Sequence, residues 1–139
     1  SSMSLDATDF KAGIAAANRE LRLLDSQFKA GVSTLGDWSQ SSEGLEKRIS
    51  YLNQAIETQT GKVASLQKEY DETVSSQGEN SRAAQEMQIK LNKATEELGK
   101  MTVELDKTED SLDKMGDESS ETAKETEKVG KEANESEKR

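Results

Sequence analysis

The sequence predicts an all-α protein. Long heptad-patterned helices are expected to form a coiled coil, an antiparallel helical hairpin or a three-helix bundle, with a polar C-terminal tail. Three observations carry this expectation. Proline is absent from all 139 residues, so no ring blocks a helix. Charged side chains make up 34% of the chain and apolar ones 31%, which suits narrow buried stripes better than a broad core. The larger apolar residues recur at alternating spacings of three and four, which places them on one helix face.

The elements follow in order. Residues 1–4, with two serines ahead of Met3, read as leader residues that carry no fold information. The first helix region covers residues 5–36 and is expected to be helical from about Thr8 to Leu35. Its packing seam is Phe10, Ile14, Leu21, Leu24 and Phe28, with Ala17 in the same frame. Asp6 or Thr8 suits the N-cap, and Asp9 suits the positive end of the helix dipole. Gly31 falls where the next seam residue is due, so the helix should weaken there.

Residues 37–44 form a Gly/Ser loop, because a serine cluster between glycines favours a turn. Ser41 or Ser42 would cap the following helix. Trp38, alone in this loop, is expected to cover a helix end. The second helix covers residues 45–75, with the seam Leu45, Ile49, Leu52, Ile56, Val63, Leu66 and Tyr70. Gln59 and Thr73 take two seam positions in the same frame. A spacing of 3.5 residues held this long predicts supercoiling.

Residues 76–80 make a second turn, with Asn80 or Ser81 as the next cap. The third helix covers residues 81–115 and has the cleanest frame. Met87, Leu91, Leu98, Met101, Leu105, Leu112 and Met115 fit it together with Ala84 and Ala94, and Thr108 is its polar intruder. Glu86–Lys90, Glu96–Lys100 and Asp110–Lys114 are spaced to pair along this helix. Residues 116–139 hold eight acidic and five basic side chains with only two Ala and one Val, which predicts a frayed or disordered tail.

Such helices are stabilised mainly by packing, so each seam needs a partner. That partner is another segment folding back at the glycines or another copy of the chain.

Composition also narrows function. With no Cys there is no disulfide framework, thiolate metal site or cysteine nucleophile, and with no His the usual neutral-pH base is missing. No apolar run approaches the length of a membrane span. A net charge of −9 disfavours nucleic-acid binding, and no phosphate-cradling glycine motif is present. The adjacent carboxylates Asp71–Glu72, Glu96–Glu97 and Glu109–Asp110 point about 100° apart on a helix and do not converge. Asp106, Asp110 and Asp113 share a helix face, but calcium needs a looped cage. No catalytic, cofactor-binding or metal residue is expected, and no small-molecule ligand. Ile89 and Val103 lie off the seam, two heptads apart, and read as a weak second contact stripe or as scattered surface apolar residues.

Two stretches are more specific than the heptads. Leu5-Asp-Ala-Thr-Asp-Phe-Lys-Ala-Gly-Ile14, with Asn18 and Leu21 to Phe28, resembles the opening of tail tape measure proteins of long-tailed phages and prophages. Gly78-Glu-Asn-Ser-Arg-Ala-Ala-Gln-Glu-Met-Gln-Ile-Lys-Leu-Asn-Lys-Ala94 resembles the same family, and Ser42-Glu-Gly-Leu45, Gln54, Ile56 and Val63 keep the order between them. The resemblance covers Leu5 to Leu112. It implies the amino-terminal region of a longer, non-catalytic virion protein that acts in tail assembly, tail length determination and genome ejection. It further implies self-association, contacts with tail tube and tail assembly chaperone proteins, and residence in the virion tail after assembly in the host cytoplasm. Two rivals stand beside it: a cellular coiled-coil scaffold or adaptor, and a helical region preceding an enzymatic domain.

Overall fold

The structure, a computed structural model, describes residues 7–136, and the side chains of residues 10–116. Helix α1 spans Ala7–Gly31, α2 spans Ser42–Gln77 and α3 spans Arg82–Ser136, with a 3-10 turn at Trp38–Gln40 between α1 and α2. No strand occurs among the described residues, so the chain is all-α there. Residues 1–4, the cap candidate Asp6 and the last residues, 137–139, lie outside the described residues.

Helix α1 stops at Gly31, before the expected Leu35. The chain turns there instead, with the Val32 N–H on the Phe28 carbonyl at 3.0 Å. Val32 is buried and supplies the apolar side chain that Gly31 lacks. In the turn that follows, the Asp37 carboxylate accepts from the Ser39 N–H at 3.0 Å and its hydroxyl at 2.7 Å. Those Ser39 hydrogen bonds, the hydroxyl first, hold the Asp37 carboxyl below its ordinary range.

Ser41 is the N-cap of α2, its hydroxyl accepting the Gly44 N–H at 3.0 Å. Gly44 is sterically required, since a Cβ there would overlap the Trp38 carbonyl. Helix α2 ends at Gly78, whose φ of 96° and ψ of 152° suit glycine almost alone. Its N–H donates to the Val74 carbonyl at 2.8 Å. Ser81 then caps α3, its hydroxyl accepting the Ala84 N–H at 3.0 Å.

The turn at Gly78 sends α3 back along α2. Gln59 reaches Ala94 while Arg48, nearer the start of α2, reaches Glu104, so the two helices run antiparallel. Helix α1 is antiparallel to α2 as well: Phe28 stacks on Tyr51, and Ile14 packs against the cluster of Leu66, Met87, Leu91 and Ala94. Helix α2 is therefore the middle element, with α1 and α3 both packed on it.

Helix α3 does not stop at 115, as expected from the loss of apolar residues, but continues through Gly116 to Ser136. Gly116 costs about 1 kcal/mol relative to Ala without breaking the helix. The sequence beyond offers no proline and sets Glu127 four residues before Lys131, a spacing that favours helix. The apolar-stripe criterion is blind to such a segment. With Glu104 beside Arg48, the register carries α3 past the start of α2 at Ser42.

Candidate functional site

Helix interfaces are the constellations that the described residues assemble. Among these residues, no group of three or more carboxylates is placed to hold a metal ion. The adjacent carboxylates at 71–72, 96–97 and 109–110 point to solvent, apart from Glu97, which is half-buried.

Each residue named from the sequence for the seam is buried or half-buried. Phe10, Leu24, Phe28, Leu45, Leu52, Leu66, Met87 and Leu91 are buried. Ile14, Leu21, Ile49, Ile56, Val63 and Tyr70 are half-buried, as are Leu98, Met101, Leu105, Leu112 and Met115. In α2 the buried set is Leu45, Leu52, Gln59 and Leu66, spaced seven apart, together with Gly44 and Ala55. The alternate positions Ile49, Ile56 and Val63 stay half-exposed. Ala55 lies one residue before Ile56, off the expected seam, on the flank shared by Arg48 and Lys62. A middle helix with two neighbours buries a stripe displaced from the one a single partner would cover. That displacement is why Ala55 escaped sequence reasoning. Val32 escaped it because it lies beyond the end of α1.

The first polar feature of these interfaces is Arg48, where four segments meet. Its Nε donates to Glu104 Oε2 at 2.6 Å and its Nη2 to Glu104 Oε1 at 3.0 Å, a two-pronged pair between α2 and α3. The guanidinium carbon lies 4.8 Å from the Phe28 ring centre, 4.7 Å from Tyr51 and 5.3 Å from Trp38. Trp38 meets Phe28 edge-on, with centres 5.3 Å apart, and so covers the end of α1. One cation thus joins the end of α1, the connecting turn, α2 and α3. Burial lifts the Tyr51 hydroxyl above its ordinary pKa, against the opposing pull of the Arg48 charge. Sequence spacing gives no sign of the Arg48–Glu104 pair, whose members lie far apart in the chain.

The second is Gln59, fully buried at mid-seam. Its Nε2 donates to the Ala94 carbonyl at 2.9 Å and approaches Glu97 Oε1 at 3.5 Å. Turning the amide over would set its oxygen against two acceptors, so the orientation is determined. Gln59 Oε1 is left without a hydrogen-bond partner. Thr108, the polar intruder in α3, satisfies itself by donating to the Glu104 carbonyl at 2.7 Å.

The expected surface pairs Glu96–Lys100 and Asp110–Lys114 form at 3.5 and 3.2 Å. Glu86 does not pair with Lys90; it turns to Arg82 at 3.5 Å, one turn toward the start of α3. Ile89 and Val103 are exposed, 65% and 51%, and do not form a continuous stripe. No family model matches this sequence, and comparison with curated proteins and with solved structures finds no match.

Proposed function

We propose that this chain is a non-catalytic structural segment of a phage or prophage tail tape measure protein. In that reading it acts in tail assembly, tail length determination and genome ejection. Its partners are further copies of itself, the tail tube and the tail assembly chaperones, and it resides in the host cytoplasm and then the virion tail. The observation that carries the reading is the pair of signatures at Leu5–Ile14 and Gly78–Ala94, which the heptads between them do not explain. Helical rise supplies the physical link: at about 1.5 Å per residue, the 55 residues of α3 measure roughly 80 Å, so chain length can serve as a ruler. The finer architecture belongs to the same proposal. The three helices form an antiparallel bundle whose α2–α3 seam packs as a coiled coil, side chains of one helix fitting between those of the other.

Two experiments test it. Electron microscopy of tails lacking residues 82–136 should show tails shortened by up to about 80 Å; unchanged lengths overturn the ruler role. Leu98→Asp should sharply reduce helicity and self-association, read by circular dichroism and sedimentation, and unchanged values overturn the packed seam. The fold-back at Gly78 favours a second reading, a cellular coiled-coil scaffold, because a hairpin shortens a ruler. Neighbouring genes for tube and baseplate proteins separate the two.

A further inference from the structure

The three helices enclose a groove whose apolar floor is Ile14, Leu66 and Ala94, and whose rim carries Lys62, Lys90 and Lys93. This concentration of cationic charge stands out in a chain of net charge −9. None of the three lysines belongs to an ion pair among the described residues. Glu97, four residues after Lys93, directs its carboxylate to Gln59 instead.

Farther along α3, past its contact with Arg48, a cleft holds Ile49 and Leu112 beside Asp106, Glu109, Asp110 and Asp113. Asp110 is paired with Lys114 at 3.2 Å. Asp106, Glu109 and Asp113 belong to no ion pair among the described residues and lie on successive turns of one helix face. An apolar floor with a basic rim thus has a counterpart: an acidic face flanking a half-buried leucine.

The two surfaces cannot satisfy each other within one molecule. Lys90, Lys93 and the acidic face all lie on the continuous helix α3, so the distance between Lys90–Lys93 and Asp106–Asp113 is fixed at roughly 20–35 Å. At physiological salt, screening acts over about 8 Å, so attraction across that span is lost. A second copy brings them together.

We propose that the Lys62–Lys90–Lys93 groove of one copy receives the Asp106–Glu109–Asp113 face of another, joining chains head to tail. Each copy keeps one free groove and one free acidic face, so the contact is heterologous and grows into open chains of copies unless the rotation closes a ring. The inference rests on the self-association in the reading above and adds to it the two surfaces and their polarity.

The test is a charge swap in the full chain, followed by sedimentation velocity at low and high salt. One variant carries Lys62→Glu, Lys90→Glu and Lys93→Glu; the other carries Asp106→Lys, Glu109→Lys and Asp113→Lys. The unmodified chain should associate with concentration and dissociate as salt rises. Each variant alone should lose association by about a hundredfold or more, because like charges then meet across the contact. An equimolar mixture should regain it, since each groove then finds a face of opposite sign. Lys→Gln and Asp→Asn counterparts, checked for helicity, give the same loss by neutralisation should a reversed chain fail to fold. A mixture that stays dissociated overturns the inference. Salt-insensitive association surviving both swaps also overturns it while leaving self-association standing, whereas a monomer at every concentration sinks both.

Discussion

Arg48 and Gln59 are both polar side chains at the interfaces of α2, about three helical turns apart, and the structure satisfies them differently. Arg48 lies near the end of the helix pair, where its guanidinium reaches a carboxylate on one side and three aromatic rings on the other. Gln59 lies mid-seam, where its amide finds one good acceptor and its own oxygen finds no donor. Position along the helix accounts for the difference. An end admits long side chains and water, while the middle of a seam admits only what the facing backbone presents. A half-satisfied buried amide reduces stability yet specifies which residues face each other, as a polar residue at a core position does in a coiled coil.

Leu52 lies between the two and measures the seam they interrupt. It is 1% exposed, so Leu52→Ala should cost about 2–5 kcal/mol in chemical denaturation. Leu23→Ala, at a position 51% exposed, is the control and should change little. Equal effects at the two sites would mean that burial in this chain does not decide stability.

Gly44→Ala attacks the Arg48 end without touching its charge. The new methyl group would overlap the Trp38 carbonyl, forcing the turn that holds one of the three rings to move. A loss of about 1–3 kcal/mol is expected, the usual range for overpacking. The fluorescence of Trp38, the one tryptophan, should shift as its contact with Phe28 loosens. An unshifted spectrum would show that the aromatic contacts tolerate movement of the turn.

Arg48→Leu removes the pair and the cation–aromatic contacts together. Part of the pair is open to water, with side-chain exposures of 19% and 37%, so about 1–2 kcal/mol is expected. The sharper readout is Tyr51. Burial raises its pKa above the ordinary 10.0, and the Arg48 charge opposes that rise, so the substitution should push the titration higher still. The neutral phenol is the form the fold favours. Its contribution to stability is complete below the unfolded-state pKa and disappears as pH climbs through the raised folded value. Ultraviolet difference titration against a Tyr51→Phe reference checks the direction, and a downward shift would contradict it.

These residues also separate what the sequence makes legible from what it does not. Local chemistry is legible: Ser41 and Ser81 announce helix starts, Gly31 a weak end and Gly78 a turn, because caps and glycines act over a few residues. Which side chains leave the solvent is legible for the same reason, since periodicity is a property of one helix. Partner choice is not. Nothing near Arg48 in the chain points to Glu104, and Ala55 becomes a buried position only once α1 and α3 pack on the same helix. The extension of α3 to Ser136 is hidden too, because burial-based reading cannot register helix formed by composition and charge spacing.

Gln59→Leu should move stability the opposite way from Arg48→Leu. The substitution removes a buried oxygen without a partner and a donor to Ala94, whose carbonyl keeps its acceptor role within α3. Leucine at this position would restore the seven-residue run of Leu45, Leu52 and Leu66. A gain of about 1 kcal/mol is expected in thermal or chemical denaturation, because replacing an unsatisfied polar group by an apolar one of similar size is neutral to stabilising. The register of α2 on α3 should loosen at the same time, since a continuous leucine stripe slides by one heptad at little cost. Spin labels placed on Ser50 and Thr102 would read that as a second distance population. A stability loss together with a single sharp distance would show that the Gln59–Ala94 hydrogen bond stabilises more than the orphaned oxygen costs, and would erase the contrast with Arg48.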